Sequence, residues 1–143
     1  MFREYKPDKE GIFIPDLQIV EHPQKGYVCI AANNIENGSL IERCLTIQFS
    51  RDTIDQLWEY VGGRTVFHDY NFCQNSKGFS YFAMGYGGIY SHSENPSARW
   101  NLKYLKNERA VIEIRAIRDI KKGEEITILY SRNKNNLDFD IVE

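Results

Sequence analysis

The stretch best equipped for chemistry covers residues 84–100, MGYGGIYSHSENPSARW. Three glycines among aromatic residues predict a close approach of the backbone, either to a neighbouring strand or to a flat ligand. These glycines form neither a G-x-G-x-x-G fingerprint nor a P-loop with its lysine, so they do not predict a phosphate site. Ser91, His92 and Ser93 are residue types that hydrolases use, but no G-x-S-x-G elbow accompanies them. For His92, a hydrogen-bonded structural role and a catalytic role both stay open.

The cysteines and histidines do not predict a metal site. The three cysteines are spread along the chain without a C-x-x-C pair, at Cys29, Cys44 and Cys73. The histidines also lack metal-ligand spacing, at His22, His68 and His92. We therefore expect buried thiols that fill core space in a reducing compartment, and no metal.

Length and charge limit the class of protein. The chain has 143 residues with 18 Lys+Arg against 20 Asp+Glu, which gives a formal net charge of −2. A chain of this length supports one ordinary hydrophobic core. The negative net charge disfavours direct contact with nucleic acid, which requires a dense basic face. No apolar run is long enough to cross a membrane, and the N-terminus lacks the layout of a secretion signal, so we expect an intracellular protein.

The elements predicted to position residues 84–100 are mainly strands. Short β-rich runs are predicted at residues 17–20, 27–32, 40–49, 66–72 and 110–117. One packing helix is predicted at residues 53–61, with Asp52 as its cap and Gly62-Gly63 at its end. Apolar residues recur at helical spacing along it, at Ile54, Leu57, Trp58 and Val61. The predicted organisation is an N-terminal arm (1–15), one mostly β domain of the α+β class (16–131) and a C-terminal tail (132–143).

Two heptapeptides share the pattern Ile-x-x-Gly-x-x-Ile, at residues 35–41 and 120–126. Each predicts a turn whose glycine takes a positive φ, followed by entry into an apolar strand. Seven residues are far fewer than the period of a repeat protein, so we interpret the match as two similar turns.

Four segments resemble known sequence motifs, and these motifs occur in a characteristic order along the chain. The segments are KGYVCIA at 25–31, GSLIE at 38–42, GGIYSHSENPSA at 87–98, and AIRDIKKGEEITILY at 116–130. The first resembles a Gly-x-Gly strand and the second the turn and strand that follow it. The third resembles Asn-His-Ser-x-x-Pro-Asn-Ala, and the fourth matches Gly-Glu-Glu-x-x-x-x-Tyr. In this order they resemble the SET domain of protein lysine methyltransferases. The resemblance spans residues 17–131 and is closest to the small stand-alone SET proteins of large DNA viruses and bacteria.

The resemblance implies a β-clip type of fold, with several short curved sheets, one short helix and a C-terminal pseudoknot. In that fold the final strand threads beneath a loop near His92 and brings together Ser91, His92 and Tyr130. The implied activity is S-adenosylmethionine-dependent lysine N-methylation of a protein, with a histone as one candidate substrate. Homodimerisation is a further implied property.

Site residues follow from the same resemblance. Tyr130 takes the catalytic place, and the S-adenosylmethionine contacts fall on Gly26, Tyr27, Ser91, His92 and Tyr130. The expected substrate channel is lined by Tyr27, Tyr70, Tyr90 and Tyr130. Tyr70 is included because Asp69-Tyr70-Asn71-Phe72 resembles an Asp-Tyr-x-Phe segment of the small viral members. Such a channel would hold the aliphatic stem of lysine, favour its neutral amine by desolvation, and accept methylated cations on ring faces.

Three residues depart from the family pattern on the cofactor side. Val28 replaces the second glycine of Gly-x-Gly, while Ser91 and Ser97 stand where the family has asparagines. A hydroxyl offers one donor where an amide offers two, which weakens cofactor binding. The alternative hypothesis is therefore a degenerate SET fold that binds a peptide as an added strand without methyl transfer.

Overall fold

The computed structural model describes residues 16–63, 70–74, 78–106 and 109–130. Within these ranges it contains nine strands and one helix: β1 Leu17–His22, β2 Gly26–Ala31, β3 Leu40–Ser50, α1 Arg51–Val61, β4 Asn71–Gln74, β5 Phe79–Ala83, β6 Ser91–His92, β7 Ala98–Tyr104, β8 Ala110–Ala116 and β9 Thr127–Ile128. The predicted arm (1–15) and tail (132–143) lie outside the described residues, as does the first part of the predicted strand 66–72. The mostly β, α+β class is confirmed.

The strands form three sheets. A hairpin joins β1 and β2, and a five-stranded antiparallel sheet has the order β4-β5-β3-β8-β7. The third sheet pairs β6 with β9 in parallel. Antiparallel sheets can bury one face and expose the other, which suits the alternating patterns of the sequence.

The two faces of the large sheet differ in chemistry. On one face Cys44 of β3 lies opposite Ile112 of β8, and both belong to the hydrophobic core. On the other face Arg43 lies opposite Glu113, and its guanidinium donates to the Glu113 carboxylate at 2.9 Å with both side chains buried. Because a slip of one residue would exchange the two faces, this alternation specifies the register of β3 on β8.

The two predicted turns pair with each other. Gly38 and Gly123 both have a φ of 87°, as the shared pattern predicts. Ile35 and Ile120 exchange backbone N–H to C=O hydrogen bonds of 2.8 Å in both directions. The repeated heptapeptide therefore builds one paired structure that joins the start of β3 to the approach to β9.

Helix α1 differs from its prediction in its cap. The helix begins at Arg51, and the Ser50 hydroxyl accepts the Asp52 N–H at 3.2 Å, so Ser50 is the cap and Asp52 lies in the first turn. Gly62 ends the helix in the left-handed conformation, as predicted. No residue of α1 is buried, and Trp58 is 45% exposed. The predicted packing helix is present, with Ile54 and Leu57 half-buried and Trp58 and Val61 exposed, so its apolar stripe is only partly covered by the described residues.

Candidate active site

Strand β9 runs beside the Ser-His-Ser segment. Ser91 pairs with Thr127 and His92 pairs with Ile128, while the Ser93 N–H donates to the Ile128 carbonyl at 3.0 Å. This pairing carries the end of the Gly-Glu-Glu motif to the end of the glycine-rich loop.

Tyr130 directly follows this pairing and contacts His92. Its backbone N–H donates to His92 Nδ1 at 2.9 Å. The two rings meet edge to face, with centroids 5.3 Å apart and an interplanar angle of 64°. Since Nδ1 is an acceptor, His92 carries a proton on Nε2 rather than on Nδ1 in this arrangement. The structure thus brings Ser91, His92 and Tyr130 together around β9.

The Tyr130 hydroxyl donates to the backbone carbonyl of Tyr90. Burial, with a further contribution from the neighbouring Tyr70, raises the pKa of Tyr130 to about 12. The hydroxyl is therefore neutral at physiological pH and serves as a hydrogen-bond donor rather than as a base. Tyr70 is 56% exposed and lies against Gly88, where an added Cβ would stand 3.4 Å from its ring.

Gly26 and Tyr27 begin β2. A backbone hydrogen bond and an ion pair connect this part of the chain to the terminal Gly-Glu-Glu motif. The Ile126 N–H donates to the Cys29 carbonyl at 2.8 Å, and the Lys25 ammonium lies 2.9 Å from the Glu125 carboxylate. Tyr27 is 68% exposed. Gly26 has a φ of 81°, and a Cβ added there would have no neighbour within 4 Å, so the backbone at this point is open to a ligand.

Tyr90 is placed differently from the other three channel candidates. Its ring is completely buried, and its hydroxyl donates to Glu42 Oε2 at 2.6 Å. Burial and the Glu42 carboxylate raise the pKa of Tyr90 far above its usual value. The ring is turned into the core, and only the backbone carbonyl of Tyr90 reaches Tyr130. Sequence reasoning missed Glu42 as Tyr90's partner, although a glutamate inside the apolar run of β3 was a signal.

Comparison with protein families assigns the fold. The sequence model of the SET domain matches residues 26–131. The chain belongs to the SET-domain family. The recognition drawn from the motif order is thereby confirmed, and the activity of this family is protein lysine methylation.

Two solved structures illustrate the likeness of this SET domain. A crystal structure described as a histone methyltransferase of Plasmodium falciparum matches with a TM-score of 0.67 and 22% identity, over 86% of this chain and 99% of that chain. A humanized mutant of the Chaetomium thermophilum Polycomb Repressive Complex 2, bound to an inhibitor, matches with a TM-score of 0.63 and 21% identity, over 86% of this chain but 15% of that chain. At these identities the likeness shows the fold. No curated protein matches the sequence.

Two of the departures from the family pattern are buried in this SET domain. The Val28 side chain is buried. Ser97 is completely buried, and its hydroxyl accepts the Thr127 N–H at 3.0 Å while its own N–H donates to Thr127 Oγ1 at 3.1 Å. Ser97 therefore fastens β9 to the core. Ser91 is half-buried at the end of the loop.

The described ranges contain two free thiols with defined side chains. Cys29 and Cys44 are free and buried, and burial raises the pKa of Cys29 to about 12. The Cys73 side chain lies outside the described part. Over the described residues, no three His, Cys, Asp or Glu side chains cluster as metal ligands. No helix within those residues is long and apolar enough to cross a membrane.

Proposed function

We propose that this SET domain methylates a lysine side chain of a protein with S-adenosylmethionine as the methyl donor. The observation that carries the proposal is the neutral Tyr130 hydroxyl, held against the Tyr90 carbonyl beside His92 and the exposed Tyr70. Membership of the family supports the reaction class.

The residues present fit the cofactor. Gly26 offers an open backbone, Tyr27 an exposed ring and Ser91 a half-buried hydroxyl, and all belong to segments that the β9 contacts gather. These three, with His92 and Tyr130, would hold S-adenosylmethionine. His92 would contribute mainly through its backbone, because its side chain is buried and bonded to Tyr130. The cofactor would supply an electrophilic methyl group on a sulfonium.

The lysine side of the site is aromatic. Tyr27 and Tyr70 expose ring surface, and Tyr130 adds a half-buried ring with a neutral hydroxyl. Aromatic surroundings desolvate the lysine and lower its ammonium pKa, so it enters the reaction as a neutral amine. The neutral Tyr130 hydroxyl already donates to the Tyr90 carbonyl, so we assign the ammonium proton of the lysine to solvent, which takes it up before the methyl transfer. Positioning then supplies most of the catalysis, since an in-line displacement needs alignment above all.

The proposed substrate is a protein carrying an accessible lysine, with a histone as one candidate. The Plasmodium falciparum structure is described as a histone methyltransferase, which supports testing histones first. Homodimerisation is a separate proposal, to be tested by sedimentation of the purified chain.

The test combines cofactor binding with methyl transfer. The purified protein is titrated with S-adenosylhomocysteine and then incubated with histones and a lysine-rich extract in the presence of labelled S-adenosylmethionine. We expect saturable binding and label transfer. Tyr130→Phe keeps the ring that would contact the cofactor, so the affinity should stay nearly intact. The loss of one orienting hydrogen bond, worth about 1.4 kcal/mol, should slow turnover by about tenfold or more.

Tyr60→Phe is the matched control, because Tyr60 is 91% exposed on α1. It should behave as the unmodified protein in both assays. Absence of binding at millimolar S-adenosylhomocysteine contradicts the proposal, and transfer that is unchanged in Tyr130→Phe contradicts the catalytic role of Tyr130.

One observation favours the second candidate, a peptide-binding module without transfer. The backbone N–H and the hydroxyl of Ser97 are both bonded to Thr127. Ser97 therefore does not offer a cofactor the side-chain amide that the family asparagine would supply. Failure to bind S-adenosylhomocysteine, with retained binding of a lysine-rich peptide, would establish this module.

A further inference from the structure

Two side chains of β3 anchor the loop of residues 84–90, which connects β5 to β6. Glu42 Oε1 accepts the Tyr86 N–H at 2.9 Å, and Glu42 Oε2 accepts the Tyr90 hydroxyl proton at 2.6 Å. Cys44, two residues further along β3, receives a backbone hydrogen bond from Gly87. The loop is therefore held by bonds that reach out from the sheet, on the face opposite to the Arg43–Glu113 pair.

The loop closes tightly around the Glu42 carboxylate. Glu42 is only 3% exposed. A Cβ added at Gly85 would stand 2.5 Å from Glu42 Oε1, and Gly85 also has a φ of 84°, where side chains are disfavoured. The glycine thus allows the backbone to approach the carboxylate, and the Tyr86 N–H and Tyr90 hydroxyl occupy one oxygen each.

Tyr90 connects this anchor to the candidate catalytic residue. Its hydroxyl end is fixed by Glu42, and its carbonyl accepts the hydroxyl proton of Tyr130. The direction of that carbonyl depends on the backbone angles of Tyr90, which are constrained when the side chain is fixed at its far end. A disturbance at Glu42 therefore reaches the Tyr130 hydroxyl through a single residue.

We propose that Glu42 is a positioning residue for Tyr130, acting through Tyr90 to aim the carbonyl that orients the Tyr130 hydroxyl. The effect of Glu42 on turnover rests on the proposed methyl transfer. Its effect on the environment of Tyr130 exists whether or not the protein transfers methyl groups.

Glu42→Gln is the sharpest variant because it keeps the size of the side chain. The glutamine oxygen can still accept the fixed Tyr86 N–H, which leaves its NH₂ group facing Tyr90. The Tyr90 hydroxyl must then turn and accept a hydrogen bond, and it loses the shorter charge-assisted bond that it donates to a carboxylate. The Cys44 thiol also bonds to Glu42, and it can donate to the glutamine oxygen, so the main change falls on the Tyr90 link.

The matched control is Glu113→Gln. Glu113 is 5% exposed, lies on the adjacent strand β8, and bonds to Arg43 on the opposite face of the same sheet. Glu113→Gln removes a carboxylate that is about as buried as that of Glu42, but on the face of the sheet that points away from the loop. It should lower stability and leave Tyr130 unaffected.

The readout is the NMR signal of ¹³Cζ-labelled tyrosine, with the Tyr130 signal assigned by its loss in Tyr130→Phe. We expect Glu42→Gln to shift that signal, to slow turnover by about tenfold, and to leave the affinity for S-adenosylhomocysteine within about twofold. Glu113→Gln should leave the signal and the turnover unchanged. Equal Tyr130 signals in Glu42→Gln and the unmodified protein overturn the positioning role.

A second comparison separates the possible failures. If the unmodified protein transfers no label, the proposed function fails, while the Tyr130 signal still tests Glu42. If it transfers label and Glu42→Gln turns over equally fast, only the positioning role fails. The double variant Glu42→Gln/Tyr90→Phe should be no slower than the slower single variant, because both changes act through one hydroxyl. Multiplicative losses would contradict action through Tyr90.

Discussion

Ser97 is the residue that most directly joins the loop side of the site to the terminal strand. Its hydroxyl accepts the Thr127 N–H at 3.0 Å and donates to the Glu125 carbonyl at 3.4 Å. The residue is completely buried, so a larger asparagine would have to displace its neighbours. The serine that replaces the family asparagine therefore stabilises β9, and its effect belongs first to folding.

Removal of the Ser97 hydroxyl should be costly. Ser97→Ala leaves the buried Thr127 N–H without its acceptor, and we expect the free energy of unfolding to fall by about 1–3 kcal/mol. Urea denaturation followed by tryptophan fluorescence measures the change. Ser39→Ala is the control, since the structure gives the Ser39 side chain no hydrogen bond among the described residues. Equal stabilities of the two variants would refute the role of Ser97.

At the scale of elements, local sequence patterns correctly predicted four strands. The predicted strands at 17–20, 27–32, 40–49 and 110–117 correspond to β1, β2, β3 and β8. Strand β7 was missed although Ala98, Trp100, Leu102 and Tyr104 alternate with polar residues. The two-residue strands β6 and β9 are too short to show a periodic pattern of apolar residues. Pairing between distant segments defines them.

The paired turns give an element-scale prediction. Gly123 has a φ of 87°, and a Cβ there would meet nothing within 4 Å, so backbone strain is the only cost of a side chain. Gly123→Ala should lower the free energy of unfolding by about 1–2 kcal/mol, and Gly123→Asn by less, because asparagine tolerates the left-handed region.

Gly63 supplies the control for the turn. It lies in open space without a positive φ, so Gly63→Ala should leave stability nearly unchanged. Thermal or urea unfolding of the three variants tests the order. A Gly123→Ala variant as stable as Gly63→Ala would contradict the strain.

For the molecule as a whole, the three sheets meet at the site. The hairpin reaches the terminal motif through the bridge between Ile30 and Glu125, and β7 reaches it through the Trp100 indole, which donates to the Leu129 carbonyl at 3.2 Å. The large sheet contributes Glu42 beneath the loop. All three sheets therefore contribute to the site, and its buried tyrosines make the stability of the folded state depend on pH.

Alkaline pH should destabilise the protein through its buried tyrosines. Burial raises the pKa of Tyr130 from 10.0 to about 12 and that of Tyr90 further. The folded state keeps these protons at a pH where the unfolded chain has lost them, so their stabilising contribution is complete below about pH 10 and falls as pH rises towards about pH 12. Urea unfolding between about pH 8 and about pH 11 measures the decline.

Two variants identify the source of that decline. Tyr130→Phe should make the decline shallower without abolishing it, because burial also raises the pKa values of Tyr90, Tyr81 and Cys29. Tyr60→Phe should leave the decline unchanged, because Tyr60 is exposed. An unchanged slope in Tyr130→Phe would show that Tyr130 ionises equally in both states.

The sequence by itself determined the elements with a strong local period, the two glycine turns and the order of motifs that reveals the SET domain. It also supplied the candidate tyrosines, because their types and motif positions are visible without a fold. Only the tertiary structure decided that the Tyr90 ring points to Glu42 while its carbonyl faces Tyr130. The same holds for Ser97 and Thr127, which are 30 residues apart. Periodicity records which face of an element is apolar, but the partner of a buried polar group depends on how distant segments pack.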